Sequence, residues 1–237
     1  LIVGAALSLS GLQMQTIFRN PMAGPDVLGI SSGASLGVAF VILGFSTGFS
    51  TDSMNGFGNW ILVAASWAGA GAVMFLIMIL STRVKDIMTI LIIGIMLSSG
   101  ISAIVTIMQY FSTETMLKAY VIWTMGSLGN LTSSQLNVLL ISISGGVILS
   151  LISTKLLNAL LLGENYAASI GLNLRFARFL IFSCTSVLAG SVTAFCGPIA
   201  FIGLAVPHVT RILFRTADHR ILIPGTFLAG GAVMLFC

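Results

Sequence analysis

One pentapeptide in the chain has the spacing of a catalytic nucleophile. Residues 29–33, Gly-Ile-Ser-Ser-Gly, match the G-x-S-x-G pattern, in which a serine on a sharp strand-to-helix turn attacks a carbonyl carbon. That chemistry needs a histidine and an acid beside the serine, and the chain has two histidines, His208 and His219. Because the pentapeptide lies within an apolar run, we expect a membrane helix there and no enzyme activity in this chain. An intramembrane hydrolase acting through Ser31 is a minor alternative.

A polar cluster follows the first apolar run, and polar groups beside a membrane span call for an explanation. It contains Gln13, Gln15, Arg19, Asn20, Pro21 and Asp26. Pro21 and Pro25 interrupt the helix, and the Asn20 side chain can bond the backbone groups that the interruption frees. The cluster is therefore either a capped turn or a constriction at the inner end of a transport pathway.

Asp218, His219 and Arg220 form a second charged turn near the end of the chain. An acid beside basic groups at this position can cap the following helix or pair with another chain. His208 follows Pro207, and we expect it to be an interior histidine with satisfied hydrogen bonds.

The chain offers no convincing set of metal ligands. Two isolated histidines are a poor metal site. Cys184, Cys196 and Cys237 lie in or beside apolar runs and lack the spacing of metal ligands. We therefore expect buried thiols, no metal site and no cofactor bound by this chain.

The composition excludes a water-soluble protein. Of 237 residues, 57% are hydrophobic and 7% are charged, against about 25% charged in an ordinary soluble domain. The net charge is +4, but the ten Lys and Arg residues stand singly or in pairs between apolar runs, which argues against nucleic-acid binding. We predict an all-α, polytopic membrane bundle.

Apolar runs bounded by charged residues predict the membrane spans. Seven runs are long enough: Leu1–Phe18, Val27–Phe45, Trp60–Leu80, Ile87–Phe111, Leu136–Thr154, Phe176–Cys196 and Ile221 to the end. An eighth, at about Ala200–Phe214, is short and contains Pro207, so we predict a short or broken helix buried in protein. The first and last residues both fall inside apolar runs, and we expect a chain cut at both ends.

The basic residues predict the orientation in the membrane. If all eight runs cross, one side carries Arg19, Arg83, Lys85, Lys155, Arg175, Arg178, Arg211, Arg215 and Arg220. The other side carries Lys118 alone, so the positive-inside rule places the first side in the cytoplasm. The longest cytoplasmic linker, residues 155–177, is either a set of short amphipathic helices at the membrane face or a simple connector.

Small residues recur at four-residue spacing in two of the predicted spans. They are Gly29, Gly33 and Gly37 in one, and Ala64, Ala68 and Ala72 in the next. Small residues at this spacing let two helices approach closely. We read both series as packing surfaces.

Several motifs together resemble one transporter family. They are Gly4-Ala5-Ala6-Leu7, Ser10-Gly11, Arg19-Asn20-Pro21-Met22-Ala23, Pro25-Asp26, Leu162-Gly163-Glu164, Gly197-Pro198-Ile199, Phe201-Ile202-Gly203-Leu204, Pro207-His208, Asp218-His219-Arg220 and Pro224-Gly225. In order and spacing they resemble the FecCD/BtuC-type permeases of ABC importers, and the similarity extends over essentially the whole chain.

The resemblance implies a ten-helix BtuC-like permease, of which about eight helices are present, with residues 1–237 as a single transmembrane domain. Such a permease imports iron-siderophore, haem or cobalamin-type chelates by alternating access. Its expected partners are a second permease copy, two ATPase subunits that bind ATP and Mg²⁺, and a periplasmic substrate-binding protein. The expected location is the bacterial inner membrane.

The resemblance also implies three groups of functional residues. The ATPase-coupling group is Leu157, Leu162, Gly163, Glu164, Ala167 and Gly171 within the segment 155–177. The cytoplasmic gate is Asn20, Pro21, Ile87 and Met88. The cytoplasmic motif is Arg211, Asp218, His219 and Arg220.

Two other transport classes are alternatives. A secondary transporter should carry intramembrane acids for ion coupling, but Asp52, Glu114 and the other acids fall in linkers or at span ends. A channel would pass substrate without ATP. The sequence favours an importer driven by an ATPase partner.

Overall fold

The chain folds into a bundle of helices. The computed structural model describes residues 1–44, 57–84, 86–129 and 131–236, and within them it contains ten α-helices, one 3₁₀ helix and no strands. The predicted all-α fold is therefore confirmed. Phe45, Asp52, Lys85 and Cys237, each named above, lie outside the described residues.

Eight of the ten α-helices coincide with the predicted apolar runs. The helices are α1 (Ile2–Ile17), α2 (Ile30–Gly44), α3 (Phe57–Arg83), α4 (Ile87–Tyr110), α5 (Glu114–Thr124), α6 (Ser133–Leu160), α7 (Glu164–Ser169), α8 (Leu174–Cys196), α9 (Ile202–Phe214) and α10 (His219–Phe236). Helices α5 and α7 lie in predicted linkers, and the 3₁₀ helix Pro25–Leu28 lies between α1 and α2.

One predicted boundary is clearly wrong. Helix α6 continues to Leu160, six residues past the predicted end of its run at Thr154. The Thr154 hydroxyl donates to the Leu151 carbonyl at 2.6 Å, so this polar residue stays within the helix. A polar residue ends an apolar run without ending the helix, and the first part of the segment 155–177 is therefore a rigid extension of α6.

Five helices, α3, α4, α6, α8 and α10, are long and apolar enough to cross a membrane. Helices α1, α2 and α9 have 16, 15 and 13 residues, or about 20–24 Å at about 1.5 Å per residue, less than the hydrocarbon core of about 30 Å. Helices α1 and α2 lie within the predicted spans Leu1–Phe18 and Val27–Phe45, and whether these two cross the membrane stays a prediction. Arg19 and Gly29 have φ angles of 48° and 78°, which end α1 and delay the start of α2.

Helix α1 forms the centre of the bundle. Every residue from Val3 to Ile17 is buried, and α1 packs against α6, α8, α9 and α10. A Cβ atom at Gly11 would lie only 1.7 Å from the Gly203 carbonyl oxygen of α9. Helices α1 and α9 therefore touch backbone to backbone. The prediction that this short helix is buried in protein holds for one side only, because Val209, Ile212 and Leu213 are more than half exposed in this chain.

Gly33 and Gly37 of α2 pack on α3, on a face that does not include the predicted alanine series. Cβ atoms at Gly33 and Gly37 would lie 2.6 Å and 2.0 Å from the carbonyl oxygens of Gly69 and Ala65. The predicted alanine series, Ala64, Ala68 and Ala72, is exposed and forms no packing surface within this chain. The surface of α3 that meets α2 contains Ala65 and Gly69, each one residue further along the chain than Ala64 and Ala68. Both series have the same four-residue spacing, so the sequence alone does not show which one faces the neighbouring helix.

This contact makes a testable prediction about stability. Gly69→Leu should lower the stability of the folded permease by more than the 1–3 kcal/mol or so typical of overpacking, because the Cβ alone would lie 2.0 Å from the Gly33 carbonyl oxygen. Gly71→Leu, two residues away on the same helix and facing open space, is the matched control. Thermal unfolding in detergent measures both variants. Equal melting temperatures would contradict the packing.

Candidate functional site

The segment 155–177 makes a helix-turn-helix at one end of the bundle. Helix α6 ends at Leu160, and the chain turns at Gly163, where φ is 104°, before the short helix α7. A second positive φ, 88°, occurs at Gly171. An L-residue is strained at such φ angles. The coupling residues named from the sequence therefore include the glycines of the two turns that flank α7.

The helix-turn-helix has a buried face and an exposed face. Leu157, Leu160 and Ala167 are fully or almost fully buried. On the other side Leu162, Tyr166 and Ile170 are 63%, 50% and 58% exposed. These three apolar side chains are four residues apart, and we call them the outer stripe. The predicted coupling residues are thus divided, with Leu157 and Ala167 acting as anchors and Leu162 available for contact with a partner.

Glu164 is held by a buried ion pair. Its two carboxylate oxygens accept from Arg178 Nε at 2.9 Å and Nη2 at 2.7 Å, and Arg178 Nη1 donates to the Val84 carbonyl oxygen at 3.0 Å. Arg178 is only 4% exposed. The turn is therefore fixed to α8 and to the end of α3.

Sequence reasoning missed this role of Arg178, which it counted only as a charge on the cytoplasmic side. No helical spacing relates residues 164 and 178, because a turn separates them. A bidentate guanidinium–carboxylate pair is among the stronger polar contacts in proteins, so Glu164 has a structural role as well as a predicted coupling role.

The polar cluster after α1 is a capped turn, which we call the gate turn (residues 18–24). The Asn20 amide N–H donates to the Gln15 carbonyl at 3.1 Å, and the Asn20 Oδ1 accepts from the Met22 N–H at 2.9 Å. Asn20 is half-buried and Pro21 is exposed. The capped turn anticipated from Asn20 is present, and a capped turn can also be a constriction. The gate role of Asn20 and Pro21 stays a prediction.

Ser31, the potential nucleophile, donates a hydrogen bond to the Asp26 carboxylate rather than to a histidine. It lies in the first turn of α2, whereas His219 Nε2 contacts Thr16 on α1. The arrangement is a helix-start contact and gives no support to a hydrolase.

The other predicted gate residues lie at the start of α4. Ile87 is buried and Met88 is 40% exposed. Asp86, which sequence reasoning did not single out, caps this helix by accepting from the Thr89 hydroxyl at 2.8 Å and from the Thr89 N–H at 2.9 Å. These hydrogen bonds lower the pKa of Asp86 and keep it ionised, and the bond from the Thr89 hydroxyl has the larger effect.

Helix α4 is tied to the chain that follows the gate turn. A Cβ atom at Gly94 would lie 2.5 Å from the Val27 carbonyl oxygen and 3.2 Å from Leu28 Cα, so α4 packs directly on the 3₁₀ helix. The two predicted halves of the gate, near Asn20 and near Met88, are therefore connected through one tight backbone contact.

The cytoplasmic motif surrounds the inner end of α1. Asp218 Oδ1 accepts from the Arg220 N–H at 2.9 Å and from Asn158 Nδ2 at 2.6 Å. Both hydrogen bonds lower the pKa of Asp218, and the bond from the Arg220 N–H has the larger effect. Asp218 thus caps α10, one of the two roles that the sequence left open. Arg211 Nη1 donates to Gln15 Oε1 at 3.1 Å, so α9 is bonded to α1.

Within the described residues, no group of three or more His, Cys, Asp or Glu side chains could hold a metal ion. These residues are instead suited to transmitting movement between parts of the protein. A turn with an apolar outer stripe, a gate turn and a polar motif between them all lie at the predicted cytoplasmic end of the bundle.

Comparison with known proteins agrees with this arrangement. A solved structure described as an inward-facing metal-chelate type ABC transporter superposes with a TM-score of 0.88 at 31% identity, covering 99% of this chain and 72% of the other. The fold is therefore that of an ABC transporter permease. Residues 1–237 match the sequence model of the FecCD transport family, and the chain belongs to that family.

Two relatives illustrate the range of the family. A Methanocaldococcus jannaschii protein named as an ABC transporter permease is 33% identical over 240 residues, which cover 100% of this chain and 66% of the relative. The vitamin B12 import system permease protein BtuC of Salmonella newport (strain SL254) is 37% identical over 236 residues, covering 99% of this chain and 69% of the relative. The chain spans about two thirds of the length of these relatives. The FecCD/BtuC-type resemblance is confirmed.

Proposed function

We propose that this chain forms the transmembrane permease domain, residues 1–237, of an ATP-driven importer for iron-siderophore, haem or cobalamin-type chelates. Membership of the FecCD family supports the importer class. The vitamin B12 permease and the metal-chelate transporter among its relatives support the class of substrate. The chain itself binds no cofactor in this proposal, because ATP and Mg²⁺ belong to a separate ATPase subunit.

The observation that carries the proposal is the outer stripe. Leu162, Tyr166 and Ile170 are largely apolar and at least half exposed. Tyr166 lies in the short helix α7 and the other two flank that helix, outside the membrane-spanning helices. Clustered exposed apolar side chains of this kind mark a protein contact. Because the basic linkers predict a cytoplasmic position, an ATPase subunit is the partner that fits, and two permease copies would take two such subunits.

The remaining partners follow from the same proposal. Helix α4 is exposed along much of its apolar length, for example at Met96 and Ile107. A second permease copy paired across such a face would enclose a central pathway, and a periplasmic binding protein would deliver the chelate to its outer end. The location is the bacterial inner membrane.

Transport in this proposal proceeds by alternating access. ATP binding brings the ATPase subunits together and moves the helix-turn-helix, and that movement opens or closes a gate formed by Asn20, Pro21, Ile87 and Met88. ATP can shift the equilibrium only if the two conformations differ in how strongly they bind the ATPase dimer. A rigid connection at Glu164 is suited to transmitting that difference.

Secondary transport and channel activity are less well supported. The described acids all lie in linkers or at helix ends: Asp26, Asp86, Glu114, Glu164 and Asp218. None of them lies within a membrane-crossing segment, where an ion-coupled transporter would need one.

An uptake assay tests the proposal and identifies the substrate. The full-length permease, its ATPase and its binding protein are reconstituted in liposomes, and labelled cobalamin, a ferric siderophore and haem are offered separately. We expect one chelate class to accumulate only when ATP reaches the ATPase side. Accumulation of a chelate by the permease without an ATPase subunit would refute the proposal.

A further inference from the structure

His219 lies at the meeting point of three helices and is fully buried, with 0% exposure. Its Nδ1 lies 2.8 Å from Asn158 Oδ1 on α6, and its Nε2 lies 2.8 Å from the Thr16 hydroxyl oxygen on α1. Both ring nitrogens therefore have a partner on a different helix. We call Asn158, His219 and Thr16 the inner bridge.

Backbone and carboxylate contacts fix the direction of the first hydrogen bond. Asn158 Oδ1 accepts from the His219 backbone N–H at 2.9 Å, and Asn158 Nδ2 donates to Asp218 at 2.6 Å. If the Asn158 amide were flipped, its NH₂ group would face the His219 N–H and its oxygen would face the Asp218 carboxylate, and neither pair can form a hydrogen bond. Since Asn158 Oδ1 is an acceptor, His219 Nδ1 must carry a proton.

The second hydrogen bond follows from the first. When only Nδ1 of a neutral imidazole is protonated, Nε2 is an acceptor and needs a donor. The Thr16 hydroxyl has a single proton, and the Leu12 carbonyl oxygen and His219 Nε2 both lie 2.8 Å away as acceptors. The carbonyl also accepts from the helical backbone, whereas Thr16 is the donor that the structure offers to a neutral Nε2, so the hydroxyl proton is assigned to the hydrogen bond with the ring. Arg211 Nη2 donates to the same hydroxyl at 3.2 Å. The neutral ring is thus fully satisfied between α6 and α1.

One end of the bridge lies in the coupling segment. Asn158 follows the buried Leu157 and lies five residues before the turn at Gly163, on the rigid extension of α6. Any displacement of this extension moves the Asn158 amide directly.

The other end of the bridge supports the gate turn. The Arg19 N–H donates to the Thr16 carbonyl at 3.2 Å, and the Asn20 N–H donates to the Gln15 carbonyl at 3.1 Å. Thr16, which belongs to the inner bridge, and its neighbour Gln15 therefore also hold the backbone of the gate turn.

A second contact joins the same two regions. A Cβ atom at Gly163 would lie 3.1 Å from Arg19 Nη1, so the Arg19 side chain lies over the coupling turn. The gate turn and the turn at Gly163 are connected through the inner bridge and through this side-chain contact.

We propose that His219 is a positioning residue of the transport cycle, which transmits movement of the α6 extension to the gate turn through Asn158 and Thr16. The inference rests on the proposed function and adds a route for the coupling. Buried hydrogen bonds are costly to leave unmade. When α6 moves, the inner end of α1 must follow or the bridge must break.

The test measures chelate uptake per ATP hydrolysed in the reconstituted full-length complex. Thr16→Val removes one hydroxyl at nearly constant volume, and His219→Phe removes both ring nitrogens. His208→Phe is the matched control, because His208 on α9 is exposed, so the interior position expected for it from the sequence is wrong. We expect uptake per ATP to fall about tenfold in Thr16→Val and His219→Phe, within the usual range of coupling between sites, and to stay unchanged in His208→Phe.

The outcomes separate the bridge from a merely structural role and from the proposed function. A structural role would lower the melting temperature and both rates together, whereas the bridge changes their ratio in folded protein. If His219→Phe does not fold, Thr16→Val alone decides. Wild-type uptake per ATP in folded Thr16→Val would overturn the inference while leaving the importer intact. Failure of the wild type to take up any chelate with ATP would overturn both.

Discussion

Glu164→Ala should destabilise the folded permease by about 3–5 kcal/mol, the cost expected when one partner of a buried ion pair is removed. The Arg178 guanidinium is 4% exposed, and both oxygens of Glu164 accept from it. Without the carboxylate, a buried positive charge loses its compensating negative charge. Thermal unfolding in detergent, together with the yield of monodisperse protein, measures the loss.

Glu114→Ala is the matched control for this substitution. Glu114 is also the first residue of its helix, α5, but it is exposed. Within the described residues the one salt bridge joins Glu164 and Arg178. We expect the control to change the free energy of unfolding by less than about 0.5 kcal/mol. Similar melting temperatures for the two variants would contradict the structural role of the pair.

Tyr166→Asp should abolish ATP-driven uptake while leaving the permease folded. Tyr166 is half exposed in the middle of the outer stripe, so a charge there costs little in the free permease. In a desolvated contact with an ATPase subunit, the same charge would be buried without a partner. We expect the affinity for the ATPase to fall at least about a hundredfold, since about 2.7 kcal/mol is enough for that change.

The readout is co-purification of the ATPase with the tagged permease, followed by uptake. Tyr110→Asp is the control, because Tyr110 is an even more exposed tyrosine at the opposite end of a spanning helix, α4. It should retain the ATPase. If Tyr166→Asp also retains the ATPase with normal uptake, the outer stripe is not the docking surface.

These two predictions separate stability from coupling in a segment that the family resemblance assigns to coupling alone. From the family resemblance, substitutions at Gly163 and Glu164 are expected to uncouple transport without affecting the fold. The φ of 104° at Gly163 and the ion pair of Glu164 give both residues a structural role as well. Exposed residues of the outer stripe are therefore the cleaner probes of coupling.

Much of the fold follows from hydropathy, because a bilayer rewards long apolar helices and penalises unpaired backbone. Helix α8 ends at Cys196 as predicted, and α9 is the predicted short helix with Pro207 inside it. Hydropathy fails where helices are amphipathic or where polar residues continue a helix, as they do beyond Thr154 in α6.

The site was only partly predictable. The family resemblance identified Gly163, and His219 stood out as one of two histidines in an apolar chain. The pairs that give them meaning are distant in sequence: Glu164 with Arg178, and His219 with Asn158 and Thr16. No periodicity connects residues that far apart, because their proximity depends on the packing of whole helices.

The central claim is that ATP hydrolysis by a separate subunit drives chelate import through this permease. The most direct measurement is chelate accumulation in proteoliposomes with ATP present and all ion gradients collapsed by ionophores. We predict that accumulation persists under these conditions and stops when the ATPase subunit carries an inactivating substitution. Accumulation that stops with the ionophores, or continues with the inactive ATPase, would contradict the account.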